Sequence, residues 1–112
     1  MFDPQIKRKI PTSSLTLRCF PHPPMPWFVK IEKGIVDKAT FDQYVPAHAA
    51  YVRHLIDRGY QAKTGYWAEY GGGMLVFQAN SRAEAEAIVA ADPLIEHRCV
   101  DYELHEWRVV VE

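Results

Sequence analysis

Cysteine is scarce in this chain, with Cys19 and Cys99 the two among 112 residues and no C-x-x-C spacing. A paired-cysteine metal site and a disulfide-stapled secreted fold are therefore excluded. No apolar run is long enough to span a bilayer, and no continuous apolar segment follows Lys7-Arg8-Lys9, as a secretory signal would require. We expect free thiols in a reducing compartment and a cytoplasmic protein.

The chain also lacks a charge excess, because 13 basic and 14 acidic residues leave a net charge of -1. This balance has no basic footprint for nucleic acid or for an anionic membrane. The hydrophobic fraction of 48% and the charged fraction of 24% are ordinary for a globular protein. At this length we expect one domain.

Proline is concentrated near the N-terminus, at Pro21, Pro23, Pro24 and Pro26. Such a stretch is typical of an extended connector. We interpret residues 1–26 as an appended arm, in which 15–20 could form a short strand, and residues 27–112 as the folded domain.

The segment from Pro46 to Gly59 is predicted to be the first core helix. Proline is tolerated at the first helical position, and glycine ends helices because it enters the left-handed region cheaply. His48 lies on the apolar stripe of this helix, whereas His54 is rotated about 120° away from it. We therefore single out His48, which could be an acid or base or simply a packed, hydrogen-bonded core histidine.

The remaining pattern predicts strands and one further helix. Trp27–Glu32 alternates as a half-buried strand, and residues 60–69 and 74–78 form a hairpin about the Gly71–Gly73 triplet. A capping box begins a second helix at Ser81, which ends before Asp92-Pro93. A final strand covers residues 98–111.

The resulting order is β-α-β-β-α-β, which predicts an α+β ferredoxin-like fold, a four-stranded antiparallel sheet with two helices on one face. The other sheet face then lacks a cover, so we expect a homodimer or higher homo-oligomer that packs sheet to sheet. In the last strand we expect one polar face to point into the interior of the dimer, and this favours a water-lined cavity over a plain exposed surface. The residues of that face are Cys99, Asp101, Glu103, His105 and Trp107.

Several local motifs resemble the YciI-like (YCII-related) family from Trp27 to the C-terminus. They are Pro46-Ala47-His48 at the helix start, Thr64-Gly65, Phe77, the Ser81 helix and Ala91-Asp92-Pro93. The resemblance implies a dimeric α+β barrel and a His–Asp active-site pair, which by motif match is His48 and Asp92. One branch of that family dehydrochlorinates chlorinated hydroxyquinols.

The chain departs from the family pattern after the second strand, where Gly65 is followed by Tyr66-Trp67 instead of proline. This change alters one wall of the expected pocket. We expect the substrate to be bounded by Tyr51, Tyr66, Trp67 and His105, with no metal and no cofactor. A metal site from His97, Cys99 and His105 is disfavoured because neighbours on one strand face lie ~7 Å apart.

Three functional readings follow. The first is a small cofactor-free enzyme of lyase or isomerase type, in which His48 is the acid or base on a phenolic or enolisable substrate and Asp92 orients it. The second is a non-catalytic homo-oligomer that binds a small molecule or a partner. The third, nucleic-acid binding, shares the element order but lacks the basic residue expected beside the glycines of residues 70–77.

Overall fold

The computed structural model describes residues 25–69 and 71–112. The predicted arm of residues 1–26 therefore lies outside the described residues, except for its last two. Their carbonyls accept hydrogen bonds at one end of the sheet, Met25 from the Gln78 side chain (3.0 Å) and Pro26 from the Ala79 amide (3.1 Å).

The elements are β1 (Trp27–Gly34), α1 (Lys38–Asp57), β2 (Lys63–Tyr66), β3 (Gly72–Gln78), α2 (Arg82–Ala90), α3 (Pro93–Glu96) and β4 (Val100–Trp107). The four strands form one sheet in the order β2-β3-β1-β4, and each neighbouring pair is antiparallel. This confirms the ferredoxin-like α+β fold. The short α3, which follows Asp92, is an addition that we did not predict.

Helix α1 begins eight residues before the predicted start. Asp37 caps it, because its side chain accepts a hydrogen bond from the Thr40 amide (2.9 Å). Pro46 consequently lies inside the helix, where it removes one backbone donor. The predicted end is confirmed, since Gly59 follows the helix with φ +90°. No helix in the described part of the chain is long and apolar enough to cross a membrane.

The glycine triplet is not simply a hairpin turn. Only Gly71 lies in the turn, with φ +86°, while Gly72 and Gly73 belong to β3. A Cβ atom on Gly72 would lie 2.1 Å from the Glu32 carbonyl oxygen, and one on Gly73 would lie 2.2 Å from that of Gly65. Glycine is therefore required here by the close approach of the neighbouring strands.

The alternation of β1 is the reverse of what its hydrophobicity indicates. The buried positions are Phe28, Lys30 and Glu32, whereas Val29 is half-buried and Ile31 is exposed. Directly paired residues share a face of an antiparallel sheet, so the register places Leu75 and Leu104 beside Lys30. One face of the central strand thus carries two charged residues beneath the helices.

The apolar core is divided into two clusters. The larger unites both main helices with the sheet: Phe28, Val52, Leu55, Ala62, Leu75, Phe77, Ala79, Ala85, Ile88 and Val89. The smaller contains Leu94, Cys99 and Val100. We had expected Cys99 on the open sheet face, but it is buried in this smaller cluster. The charged residues of β1 follow Phe28 of the larger cluster, and Gly34 at the end of the strand pairs with Val100 of the smaller one.

Candidate active site

The structure brings His48 and Asp92 into contact across 44 residues of sequence. His48 Nδ1 lies 2.9 Å from Asp92 Oδ1 and 3.0 Å from Oδ2. His48 is 8% exposed and Asp92 is fully buried. Because a buried carboxylate needs hydrogen-bond donors, this contact fixes the ring orientation and places a proton on Nδ1 when Asp92 is ionised.

Asp92 is positioned by the junction between α2 and α3. Its Oδ1 accepts a hydrogen bond from the Leu94 amide (3.0 Å), which caps the short α3, and Pro93 occupies the first position of that helix. Proline is favoured there because the N–H that it lacks would have no intrahelical acceptor at that position. The Asp-Pro motif therefore ends one helix, begins the next and aims the carboxylate at His48.

A lysine that we did not predict completes the pair. Lys30 is fully buried, and its Nζ lies 2.9 Å from Asp92 Oδ2 and 2.8 Å from Glu32 Oε1. The contact with Asp92 is a hydrogen bond, whereas no described donor meets Glu32 Oε1 with hydrogen-bond geometry. Lys30 therefore lies between two buried carboxylates and supplies positive charge to both.

These contacts set the charge of Asp92. Burial alone would raise its pKa, but the hydrogen bond with His48 and the nearby charge of Lys30 outweigh burial and lower the pKa below the ordinary value of 3.8. Asp92 is thus an anion at neutral pH. An anion beside Nδ1 stabilises the imidazolium that forms when the ring accepts a second proton.

The second ring nitrogen points towards the edge strand β2. His48 Nε2 lies 3.1 Å from Thr64 Oγ1, and the Met74 carbonyl, 3.2 Å from the same hydroxyl, is a second possible acceptor of its proton. Thr64 is exposed. The site is therefore an ordered series of groups: Glu32, Lys30, Asp92, His48 and Thr64.

The predicted wall residues are distributed around this site unevenly. Tyr51 is on α1 one turn after His48, and its hydroxyl donates to the Ile88 carbonyl (2.8 Å); burial, and next the charge of Asp92, raise its pKa. Tyr66 is on the same face of β2 as Thr64 and is 87% exposed. Trp67 follows that strand. Roles for these three in binding remain predictions.

His105 is not brought to the site. It pairs with Val29, so its side chain lies on the sheet face opposite Lys30. Its Nε2 lies 2.9 Å from Glu103 Oε1, and the residue is exposed. A wall role for His105 would therefore belong to a different surface from the one that holds His48.

A groove of about 680 Å³ lies at the β2–β3 hairpin end of the sheet and does not include His48. Trp67 and Tyr102 line it together with the acidic residues Glu32, Asp101 and Glu103. Glu32 is the one residue that belongs both to this groove and to the series of groups at His48. The described residues that line this groove include no histidine–carboxylate pair, so His48 and Asp92 are the candidate acid–base site.

Two further observations concern the other groups that could bind a metal ion or react. Within residues 25–69 and 71–112, no three His, Cys, Asp or Glu side chains are grouped so that they could hold a metal ion. The Cys99 thiol is free and buried, and burial raises its pKa. A thiol of that kind is a poor nucleophile.

Lys30 and Glu32 were missed because we inferred the buried face of β1 from the hydrophobicity of that strand alone. The odd positions of β1 hold Trp27, Val29 and Ile31, which is the more apolar set. The available signal was the presence of Lys30 and Glu32 on the same face as Phe28, since period-two alternation places all three together. Thr64 gave no signal beyond its place in a family-like motif.

The sheet order, with helices on one face and a buried His–Asp pair beneath them, defines a ferredoxin-like α+β protein with a candidate acid–base site. The YCII-related domain matches residues 30–108. The chain therefore belongs to the YCII-related family. No curated protein matches it significantly.

One similar solved structure is 5-chloro-2-hydroxyhydroquinone dehydrochlorinase from Burkholderia phenoliruptrix AC1100, in complex with 2,5-dihydroxybenzoquinone. The match has a TM-score of 0.60 and 20% sequence identity, and it covers 73% of this chain and 93% of the other. At that identity the similarity establishes the fold.

Proposed function

We propose that this protein is a small enzyme that uses His48 and Asp92, without a cofactor, for acid–base chemistry of lyase or isomerase type on a small phenolic or enolisable substrate. The observation that carries the proposal is the buried contact of His48 Nδ1 with an anionic Asp92. It leaves Nε2 to exchange a proton at the exposed side of the pair. The dehydrochlorinase of similar fold, which binds a quinone, supports the substrate class.

The chemistry requires one proton to move in each direction. Neutral His48 removes a proton from a phenolic hydroxyl, or from a carbon next to a carbonyl, while Asp92 stabilises the imidazolium. In a lyase the imidazolium returns this proton to the carbon that carries the leaving group, and neutral His48 then accepts a second hydroxyl proton as a leaving group such as chloride departs, so the substrate loses HCl in total. In an isomerase the same proton returns to a different atom, so atoms and electrons balance without an oxidant.

The test is a turnover assay with matched histidine variants. We would incubate the protein with 5-chloro-2-hydroxyhydroquinone and measure chloride release, and follow deuterium incorporation into enolisable cyclic diketones in D2O. Removal of a general base typically costs ~100- to 10,000-fold, so His48→Ala should lose activity on that scale. His54→Ala, an exposed histidine on the same helix, should retain it. Unchanged activity in His48→Ala would end the proposal.

A second reading is a non-catalytic homo-oligomer that binds a small molecule. The groove beside Trp67 and Tyr102 favours it, since this groove is separate from His48. Saturable binding of the same compounds by calorimetry, with no product and no effect of His48→Ala, would establish this reading. Loss of binding in Trp67→Ala would place the ligand in the groove.

We also propose that the partner of the open sheet face is a second copy of this chain, which would make the protein a homodimer. The support is the partly exposed apolar side chains on that face, among them Trp27, Val29, Ile31 and Val76. The reducing, cytoplasmic location predicted from the sequence remains a proposal, as does the absence of nucleic-acid and membrane partners.

A further inference from the structure

The route by which a proton reaches His48 is restricted. Asp92 holds Nδ1, so proton exchange with a substrate must use Nε2. His48 is 8% exposed. Among the described residues, the hydrogen-bond contact of Nε2 is Thr64 Oγ1 at 3.1 Å, and Thr64 is exposed on the edge strand. A hydroxyl therefore lies between the buried nitrogen and the exterior.

That hydroxyl has one proton and two neighbours. The Met74 carbonyl, 3.2 Å from Oγ1, can only accept a hydrogen bond. When His48 is neutral and protonated on Nδ1, Nε2 is an acceptor, so the Thr64 hydroxyl can donate its hydrogen bond to Nε2. When His48 is an imidazolium, Nε2 donates to Oγ1 and the Thr64 proton turns to the Met74 carbonyl. Each orientation of the hydroxyl matches one protonation state of the ring.

We propose that Thr64 is a catalytic residue that relays the proton between the substrate and His48, an inference that rests on the proposed function. In the forward step the substrate hydroxyl gives its proton to a lone pair of Oγ1 while the Thr64 proton moves to Nε2. One substrate O–H bond breaks, one forms at Oγ1, the former Oγ1–H bond breaks and an N–H bond forms. The products are the substrate anion and the imidazolium.

The surroundings of Thr64 suit an aromatic alcohol. Tyr66 lies two residues further along β2 on the same face, ~7 Å away, and its ring is 87% exposed. A planar phenol placed against this ring would have its hydroxyl near Oγ1. Direct transfer from the substrate to Nε2 is the competing route, because a substrate could instead displace the Thr64 hydroxyl.

Three variants separate the routes with 5-chloro-2-hydroxyhydroquinone as the probe. Thr64→Ser keeps the hydroxyl and should stay within about threefold of the wild type. Thr64→Val keeps the shape and strand propensity but has no hydroxyl, and should lose ~100-fold or more in kcat, the scale of a missing proton-transfer group. Thr64→Ala, which leaves room for a water, should lie between them.

The number of protons in motion gives a readout that a structural role would not change. A plot of the rate against the deuterium fraction of H2O–D2O mixtures should be curved for the wild type and for Thr64→Ser, since two protons move in the same step. A linear dependence in the wild type, or Thr64→Val within about threefold of it, would overturn the relay and favour direct transfer. His48→Ala would still be inactive in that case, so the proposed function would survive.

A measurement without turnover tests the contact itself. In 15N spectra of ring-labelled protein with neutral His48, Nε2 accepts the Thr64 hydrogen bond. Its resonance should move downfield in Thr64→Val and stay in place in Thr64→Ser. An identical resonance in the wild type and Thr64→Val would overturn the relay. If the wild type turned over neither 5-chloro-2-hydroxyhydroquinone nor the enolisable cyclic diketones, the relay and the proposed function would fail together.

Discussion

Lys30 determines whether two buried carboxylates can be tolerated. It is fully buried between Asp92 Oδ2 and Glu32 Oε1, at 2.9 and 2.8 Å. Removing one member of a buried ion pair leaves an unpaired charge, which costs far more than the pair contributes to stability. The lysine therefore belongs to the stability of the fold as well as to the site.

Replacement of Lys30 by methionine should lower the free energy of unfolding by about 3–5 kcal/mol, because Asp92 and Glu32 would then lie buried without their cation. Urea denaturation at pH 7 measures this. Lys33→Met, an exposed lysine of the same strand, is the control and should change little. The double variant Lys30→Met, Glu32→Gln should recover part of the loss. A Lys30→Met variant as stable as the wild type would contradict the ion-pair account.

The lowered pKa of Asp92 also makes stability depend on pH. A carboxyl whose pKa is lower in the folded state than in the unfolded chain stabilises the fold above the unfolded value, here about 3.8. That stabilisation is lost as the pH falls through the folded value. The advantage of the wild type over Asp92→Asn should therefore be full at pH 6 and shrink below roughly pH 4.

Denaturant titrations of both proteins across this range measure the difference. Asparagine keeps the capping oxygen for the Leu94 amide but not the charge. The comparison therefore isolates the ionisation of Asp92. A constant difference between the two proteins from pH 6 to pH 3 would mean that Asp92 is not an anion in the folded protein.

At the scale of elements, the β1–β3–β2 ladder depends on backbone contact at Gly72 and Gly73. Alanine at Gly72 would place Cβ 2.1 Å from the Glu32 carbonyl oxygen, and that backbone has no freedom to move within the ladder. We expect Gly72→Ala to destabilise the protein by about 3 kcal/mol or more, at or beyond the upper end of overpacking.

Gly65→Ala provides the matched control, because a Cβ at Gly65 meets nothing within 4 Å. It should be neutral or slightly stabilising, since alanine reduces the freedom of the unfolded chain. Thermal unfolding of both variants measures the contrast. Equal melting temperatures for the two alanine variants would show that the strands can separate at Gly72.

The elements that could be predicted are those whose sequence signals lie within a few neighbouring residues. The Ser81 cap was readable because it is local: the Ser81 hydroxyl accepts from the Glu84 amide (3.1 Å). The glutamate carboxylate accepts from the Asn80 amide, one residue before the expected one (2.6 Å). The start of α1 was missed because Pro46 resembled a first-turn proline, whereas Asp37 supplies the cap.

The chemistry of the site was only half readable for a related reason. His48 and Asp92 lie in short motifs that resemble the YCII-related family, and that resemblance implied the pair without coordinates. Lys30 contacts Asp92 across 62 residues, and the alternation of β1, which groups Lys30 with Phe28, does not by itself indicate which face of the strand lies under the helices. The Thr64 contact likewise depends on the position of an edge strand.

At the scale of the whole molecule, the sheet face opposite the helices carries the larger apolar set of β1. A face of this composition is typical of an interface. Ile31 lies on it, paired with Met74 and Glu103, and is 40% exposed. Ile56 on α1 is 50% exposed and lies on the other side of the sheet, so the two isoleucines form a matched pair.

If two copies associate through this face, Ile31→Glu should produce a monomer and Ile56→Glu should not. A charge buried at an interface is left without a partner, whereas a charge on an exposed helix is solvated. Light scattering coupled to gel filtration at micromolar concentration measures both. A monomeric wild type, or a dimeric Ile31→Glu variant, would place the partner elsewhere.

Asp92 both caps α3 and is the counter-ion of a buried lysine. Selection experiments can therefore distinguish variants that lose the fold from variants that lose only activity. A library selected merely for soluble expression should retain aspartate at this position as strictly as a library selected for turnover. Thr64, exposed at the rim, should vary freely under the first selection and become restricted under the second. The contrast between the two libraries would separate residues that the architecture demands from residues that only the chemistry needs.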